Sequence, residues 1–167
     1  MALPSYTARS VVIHHFCCIK QVRFHVRVRS KSLTNADHPE SSGLNHAAYK
    51  RGCTLFNDGH FNKAKLAFEE ALSYWPEDSH GWMALGNCHD DLNKPKAAEE
   101  CYRKALAYCD DKDRSSIVYN LANSLLDQGQ YDKAIALYEQ ILGQSAVYTK
   151  AQRNLSRAKR LLNGGRK

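Results

Sequence analysis

From Asn45 onward the chain repeats its chemistry every 34 residues, and no other feature constrains the fold as tightly. Gly52 returns as Gly86, Ala64 as Ala98, Phe68 as Tyr102, Ala71 as Ala105 and Leu72 as Leu106. A third copy follows with two residues inserted: Leu85, Asn87, Ala98, Tyr102 and Leu106 recur as Leu121, Asn123, Ala134, Tyr138 and Leu142. A repeat of this length is one supersecondary unit that cannot bury its apolar face alone, so copies must stack. Three units follow, 45–78, 79–112 and 115–148.

Charge divides the 167 residues into three parts. Up to Ala36 there are six Lys or Arg and no acid; Asn45 to Tyr148 holds eleven basic and fifteen acidic residues; Thr149 to Lys167 holds seven basic residues and no acid. The net charge of +7 therefore describes no single part. No run of about 18 apolar residues occurs, so no spanning helix is expected. The six cysteines (Cys17, Cys18, Cys53, Cys88, Cys101, Cys109) form no CxxC pair and read as reduced thiols packed as small hydrophobes.

Residues 1–44 lie outside the repeat. The basic, acid-free head resembles an organelle transit peptide, which would place the protein in a mitochondrial matrix or plastid stroma; without cleavage the expectation is cytoplasm. Against an amphipathic helix, Val22, Phe24, Val26 and Val28 alternate with Arg23, His25, Arg27 and Arg29, which is strand periodicity. A basic arm that pairs with a partner, or upstream sequence from a mistaken start codon, are the other readings. Residues 31–44 read as a linker whose Ser41 or Ser42 caps the first helix.

Within each unit two helical patterns flank a turn: Asn57-Asp58-Gly59, Asn93-Lys94-Pro95 and Gln128-Gly129-Gln130. The expected helices are 44–57, 61–74, 79–92, 95–108, 114–128, 131–143 and 148–163. Gly52, Gly86 and Ala122 let the two helices approach; Ala64, Ala98 and Ala134 serve the same contact from the other side; Phe68, Tyr102 and Tyr138 fill the space between units. Trp82, Leu85, Gly86, Ala98, Tyr102 and Ala105 resemble the tetratricopeptide repeat family, whose pattern reads W-x2-L-G-x2-Y, then A-x3-F and A. The resemblance covers about 45–162 and implies an all-α solenoid of three helix-turn-helix repeats. Four positions depart from it: Arg51 for Leu, His89 for Tyr, Asp110 for Pro and Ile141 for Ala. Ala151, Leu155, Ala158 and Leu162 continue an apolar stripe amid Lys150, Arg153, Arg157, Lys159 and Arg160, which suits a C-terminal capping helix (148–163) with a basic tail at 164–167.

The resemblance also implies a concave groove that binds a peptide segment or helix of a partner. Its wall would be His46, Tyr49, Cys53 and Phe56; His80, Met83, Asn87 and Asp90; Ser116, Tyr119, Asn123 and Leu126; with Asp91 and Asp127 at the rim. Exposed aromatic and apolar groups at matched heights would form a greasy wall, with Asn87 and Asn123 holding a peptide backbone. Co-chaperones of this family that grip the C-terminal carboxylate of heat-shock chaperones use Lys, Asn and Arg where this chain has Tyr49, Cys53, Ala84, Ser116 and Asn120, so that ligand is not expected here.

Sequence signatures of catalysis are missing: no glycine-rich phosphate loop, no HExxH and no Cys-His ligand spacing. Asp110-Asp111-Lys112-Asp113 lacks the glycine and closing Glu of a calcium loop and fits the start of a helix instead. The expected function is a protein–protein adaptor or assembly factor without cofactor or metal. The alternatives are contact with RNA through the basic cap (Lys150, Arg153, Arg157, Arg160) and self-association.

Overall fold

Seven helices and no strand make up residues 47–164, the part of the chain that the computed structural model describes. They are α1 (Ala47–Asn57), α2 (Phe61–Tyr74), α3 (Ser79–Asp91), α4 (Pro95–Tyr108), α5 (Asp111–Asp127), α6 (Tyr131–Glu139) and α7 (Tyr148–Gly164). The transit-peptide, strand and linker readings of residues 1–44, and the groove position His46, lie outside the described residues. Each helix packs chiefly against its neighbours in sequence, while α1, α3, α5 and α7 touch one another lightly along a shared face. That is a solenoid of helical hairpins closed by an extra helix, as the period requires.

The hairpins turn by one device. Gly59, Asn93 and Gly129 occupy the same place in each unit and all have positive φ, at 78°, 56° and 74°. In each case the next residue's N–H reaches back five positions: His60 to Leu55 O (2.8 Å), Lys94 to His89 O (2.8 Å) and Gln130 to Leu125 O (2.9 Å). This left-handed C-terminal motif satisfies carbonyls that a helix end would otherwise orphan. Glycine takes it without steric cost, and Asn tolerates it better than other side chains.

Between units the linkers are pinned. The Asp78 carboxylate accepts from His80 N and Gly81 N (3.2 Å each) and caps α3. Trp82 Nε1 donates to Pro76 O at 2.7 Å, and Lys104 Nζ lies 4.0 Å from the Trp82 ring centroid. Among the described residues, two helix bounds differ from the periodic reading by more than one residue. α5 starts at Asp111, a turn earlier than 114, because Asp111 and Asp113 in its first turn complement the helix dipole. α6 stops at Glu139 rather than 143; Ile141 and Val147 beyond it are buried and hold a non-helical linker against the core. Arg51, the departure from Leu, stays exposed and pairs with Glu70 of α2.

The residues singled out by the repeat fill the interior, but Phe68 and Tyr102, expected between units, rest on Gly52 and Gly86 of their own hairpins. Phe68, Tyr102 and Tyr138 are fully buried, as are Ala64, Ala98 and Ala134. A methyl built at Gly86 would lie 2.5 Å from Tyr102 Cε1, and one at Gly52 would lie 2.6 Å from Phe68 Cε1. The rings thus rest directly on the backbone of the facing helix. Gly86→Ala gains helix propensity but overpacks the ring, so urea denaturation should find it roughly 1–2 kcal/mol less stable. A neutral or stabilising result would mean that the ring does not rest on this glycine.

Candidate peptide-binding hollow

The buried tyrosines bring a hydroxyl into the core, and a buried hydroxyl needs a partner. Tyr102 Oη lies 2.8 Å from Asn87 Oδ1 and 2.7 Å from Asp90 Oδ2, its one proton shared between these two acceptors on α3. Tyr138 Oη donates to Asn123 Oδ1 on α5 at 2.6 Å. Both pairs are 15 residues apart. The next helix of the same face then adds a donor: Asn120 Nδ2 to Asn87 Oδ1 (3.3 Å) and Asn154 Nδ2 to Asn123 Oδ1 (2.7 Å). Asn154 also donates to Tyr119 Oη at 3.2 Å, tying α7 to α5. Burial, then the Asp90 charge, pushes the Tyr102 phenol well above its ordinary range, and burial does the same to Tyr138. Both remain protonated donors wherever the protein is folded.

The first unit lacks this ladder. Its ring is Phe68, with no hydroxyl, and the residue 15 before it is Cys53, with no amide. Tyr49 packs edge-on against Phe68 instead, with centroids 5.4 Å apart. Tyrosine goes with asparagine, and phenylalanine with cysteine, inside one chain.

The ladder's open side forms a hollow of about 330 Å³ between α3, α5 and α7. Asn87, Asn120, Asn123 and Asn154 supply amides, Tyr102 and Tyr119 phenols, Asp90 and Asp127 carboxylates, Arg153 and Arg157 guanidinium groups, and Leu126 an apolar floor. Of the groove positions expected from sequence, the hollow brings together Asn87, Asp90, Tyr119, Asn123, Leu126 and Asp127, and it adds Arg153 and Arg157 from the cap. The others lie elsewhere. Tyr49, Met83 and Ser116 are buried, and so are Tyr119 and Leu126 at the hollow's edge, so the expected exposed wall of aromatic and apolar groups is not present. Periodicity pointed these side chains inward, but the neighbouring unit covers them. Cys53 and Phe56 are half-buried, with Phe56 edge-on to Phe61 at 5.2 Å. His80 sits near the helix starts, its Nε2 3.2 Å from Asp113 Oδ2. Lys150 is half-buried and Arg160 is exposed; neither lines the hollow.

Asn120 and Asn154 were not among the expected groove residues. A signal was present: each stands 33 or 31 residues beyond the amide it contacts, close to one repeat. Nothing in the hollow is built as a nucleophile. Burial pushes the thiols of Cys88 and Cys101 up to about 12, which leaves them un-ionised near neutrality.

Two outcomes check this geometry. Phe68→Tyr should cost roughly 1–3 kcal/mol through an unsatisfied hydroxyl, and adding Cys53→Asn should recover about 1 kcal/mol or more in a double-mutant cycle; strict additivity in urea melts would contradict the pairing. With iodoacetamide at pH 8, peptide mass spectrometry should find Cys53 and Cys109 labelled well before Cys88 and Cys101, and equal rates for all four would contradict the buried placement.

Family profiles described as tetratricopeptide repeat match residues 49–115 and 116–143. A TPR repeat-containing protein of Dictyostelium discoideum is 30% identical over 115 residues, 66% of this chain and 43% of that protein. The peroxisomal targeting signal 1 receptor of the same organism is 35% identical over 57 residues, 34% of this chain and 9% of the receptor. The chain thus spans less than half the length of these curated relatives. Among solved structures, the first TPR of Spaghetti (RPAP3) bound to the HSP90 peptide SRMEEVD matches with a TM-score of 0.67 at 15% identity, over 75% of this chain and 96% of that one. The Yersinia enterocolitica chaperone SycD in complex with a peptide of the translocator YopD matches with a TM-score of 0.63 at 15% identity, over 76% and 98%. At these identities the structural likeness speaks for the fold.

Proposed function

The chain belongs to the tetratricopeptide repeat family, and from that premise we propose that it is an interaction adaptor that holds an extended segment of another protein in the hollow between α3, α5 and α7. One observation carries this reading. Four asparagines from three helices line one concavity, three of them anchored through a hydrogen bond to a tyrosine hydroxyl. An amide offers both a donor and acceptors, which is what a peptide backbone requires, and an anchored amide loses little rotamer freedom on binding. The two solved structures of the same fold hold bound peptides, which supports the same class of ligand.

The rival reading, RNA contact through the basic cap, has less to stand on. Arg153 and Arg157 line the hollow, and Lys159 pairs with Glu139 at 2.8 Å, so the stripe expected on the outer face is broken. The experiment is selection of 12-residue peptides from a random library on the full chain, followed by NMR of the asparagine side-chain amides. Asn87, Asn120, Asn123 and Asn154 are expected to shift on peptide addition. Shifts confined to α2, α4 and α6, or to the basic termini, would move the interface elsewhere.

A further inference from the structure

The hollow is not uniform in charge, and its two signs are kept apart. The lining helices stand in the order α3, α5, α7. Asp90 lies on α3 and Asp127 on α5, whereas both arginines, Arg153 and Arg157, lie on α7. Asp127, Arg153 and Arg157 border the same 330 Å³, yet none of the three forms an ion pair within 4.0 Å among the described residues. All three side chains are exposed.

A second observation points to an occupant. Asn87 is 1% exposed and lines the hollow; its Oδ1 is taken by Tyr102 and Asn120, but its Nδ2 meets no acceptor. A buried amide N–H2 with no partner costs free energy until something supplies an oxygen. The carbonyl of a bound peptide is such an oxygen.

Taken with the reading of the hollow as a peptide site, on which this rests, we infer that it selects segments by charge order. A lysine or arginine of the partner sits against Asp90 and Asp127, and a carboxylate sits against Arg153 and Arg157. An extended chain advances about 3.3 Å per residue, so the two charges stand roughly two to four residues apart. The carboxylate is an Asp or Glu side chain within the segment, since the positions that grip a terminal carboxylate in this family hold Tyr49, Cys53, Ala84, Ser116 and Asn120 here. In this reading α7 supplies half of the recognition surface in addition to closing the solenoid.

Fluorescence anisotropy with labelled 11-residue peptides tests this on the full-length protein. The peptides share a Ser/Gln/Ala background. They carry one Lys and one Glu two, three or four residues apart in either order, or neither charge, and each is made with a free and an amidated C-terminus. One charge order should bind at least about tenfold tighter than the neutral peptide, with a margin that shrinks as salt is raised. The double charge swap Asp127→Lys with Arg153→Glu, both at exposed positions, leaves only Asp90 and Arg157 in the original order and should remove most of the preference. Indifference to amidation is expected, and loss of binding on amidation alone would overturn the side-chain assignment. Equal binding of charged and neutral peptides, or an unchanged preference in the charge-swapped variant, would overturn the inference. In that event the peptide site itself still stands if the asparagine amides shift, and falls with it only if they do not.

Discussion

A ring pressed onto the backbone of a neighbouring helix is the contact on which this structure depends. Gly52 and Gly86 leave no side chain between Phe68 or Tyr102 and the facing helix, and Ala122 stands at the matching place in the third unit. The close approach buries the largest side chains completely and sets each hairpin's spacing, from which the stacking of units follows. Where the ring is phenylalanine the contact ends there. Where it is tyrosine, the hydroxyl arrives at the far side of the facing helix and must be met.

Meeting that hydroxyl is what shapes the candidate site. Asn87 and Asn123 stand where the phenols of Tyr102 and Tyr138 emerge, and Asn120 and Asn154 reach across from the next helix to the same oxygens. Core packing, hydrogen-bond satisfaction and the polar lining of the hollow are thus one arrangement. It starts in the second unit and ends in α7, because the first unit has Cys53 and Phe68 in the matching places. The hollow is therefore displaced toward the C-terminal end of the solenoid.

How much of this was legible in the sequence depends on what kind of information each feature needs. The hairpins were readable because period, small residues and ring positions are local and recur in register. The start of α5 and the end of α6 were not, since one is set by acidic residues at a helix dipole and the other by Ile141 and Val147 packing from outside any helix. For the site, periodicity gives the direction a side chain points, and Asn87, Asn123, Asp90 and Asp127, which it puts on one face, all line the hollow. It does not say whether a neighbouring unit lies over that side chain, and so Tyr49 and Met83 were read as exposed when they are core. Arg153 and Arg157 read as cap residues because α7 falls after the last full repeat. The 15-residue pairing of Tyr with Asn, absent where Phe pairs with Cys, was the sequence clue that the groove would be polar.

The most direct measurement is hydroxyl-proton NMR of the folded protein, in which an exposed phenol proton exchanges too fast to be seen. Among the nine tyrosines, Tyr102 and Tyr138 should give resolved, slowly exchanging hydroxyl signals with cross-peaks to α3 and α5. Two phenols with no observable hydroxyl, or with cross-peaks to any other helices, would contradict the account.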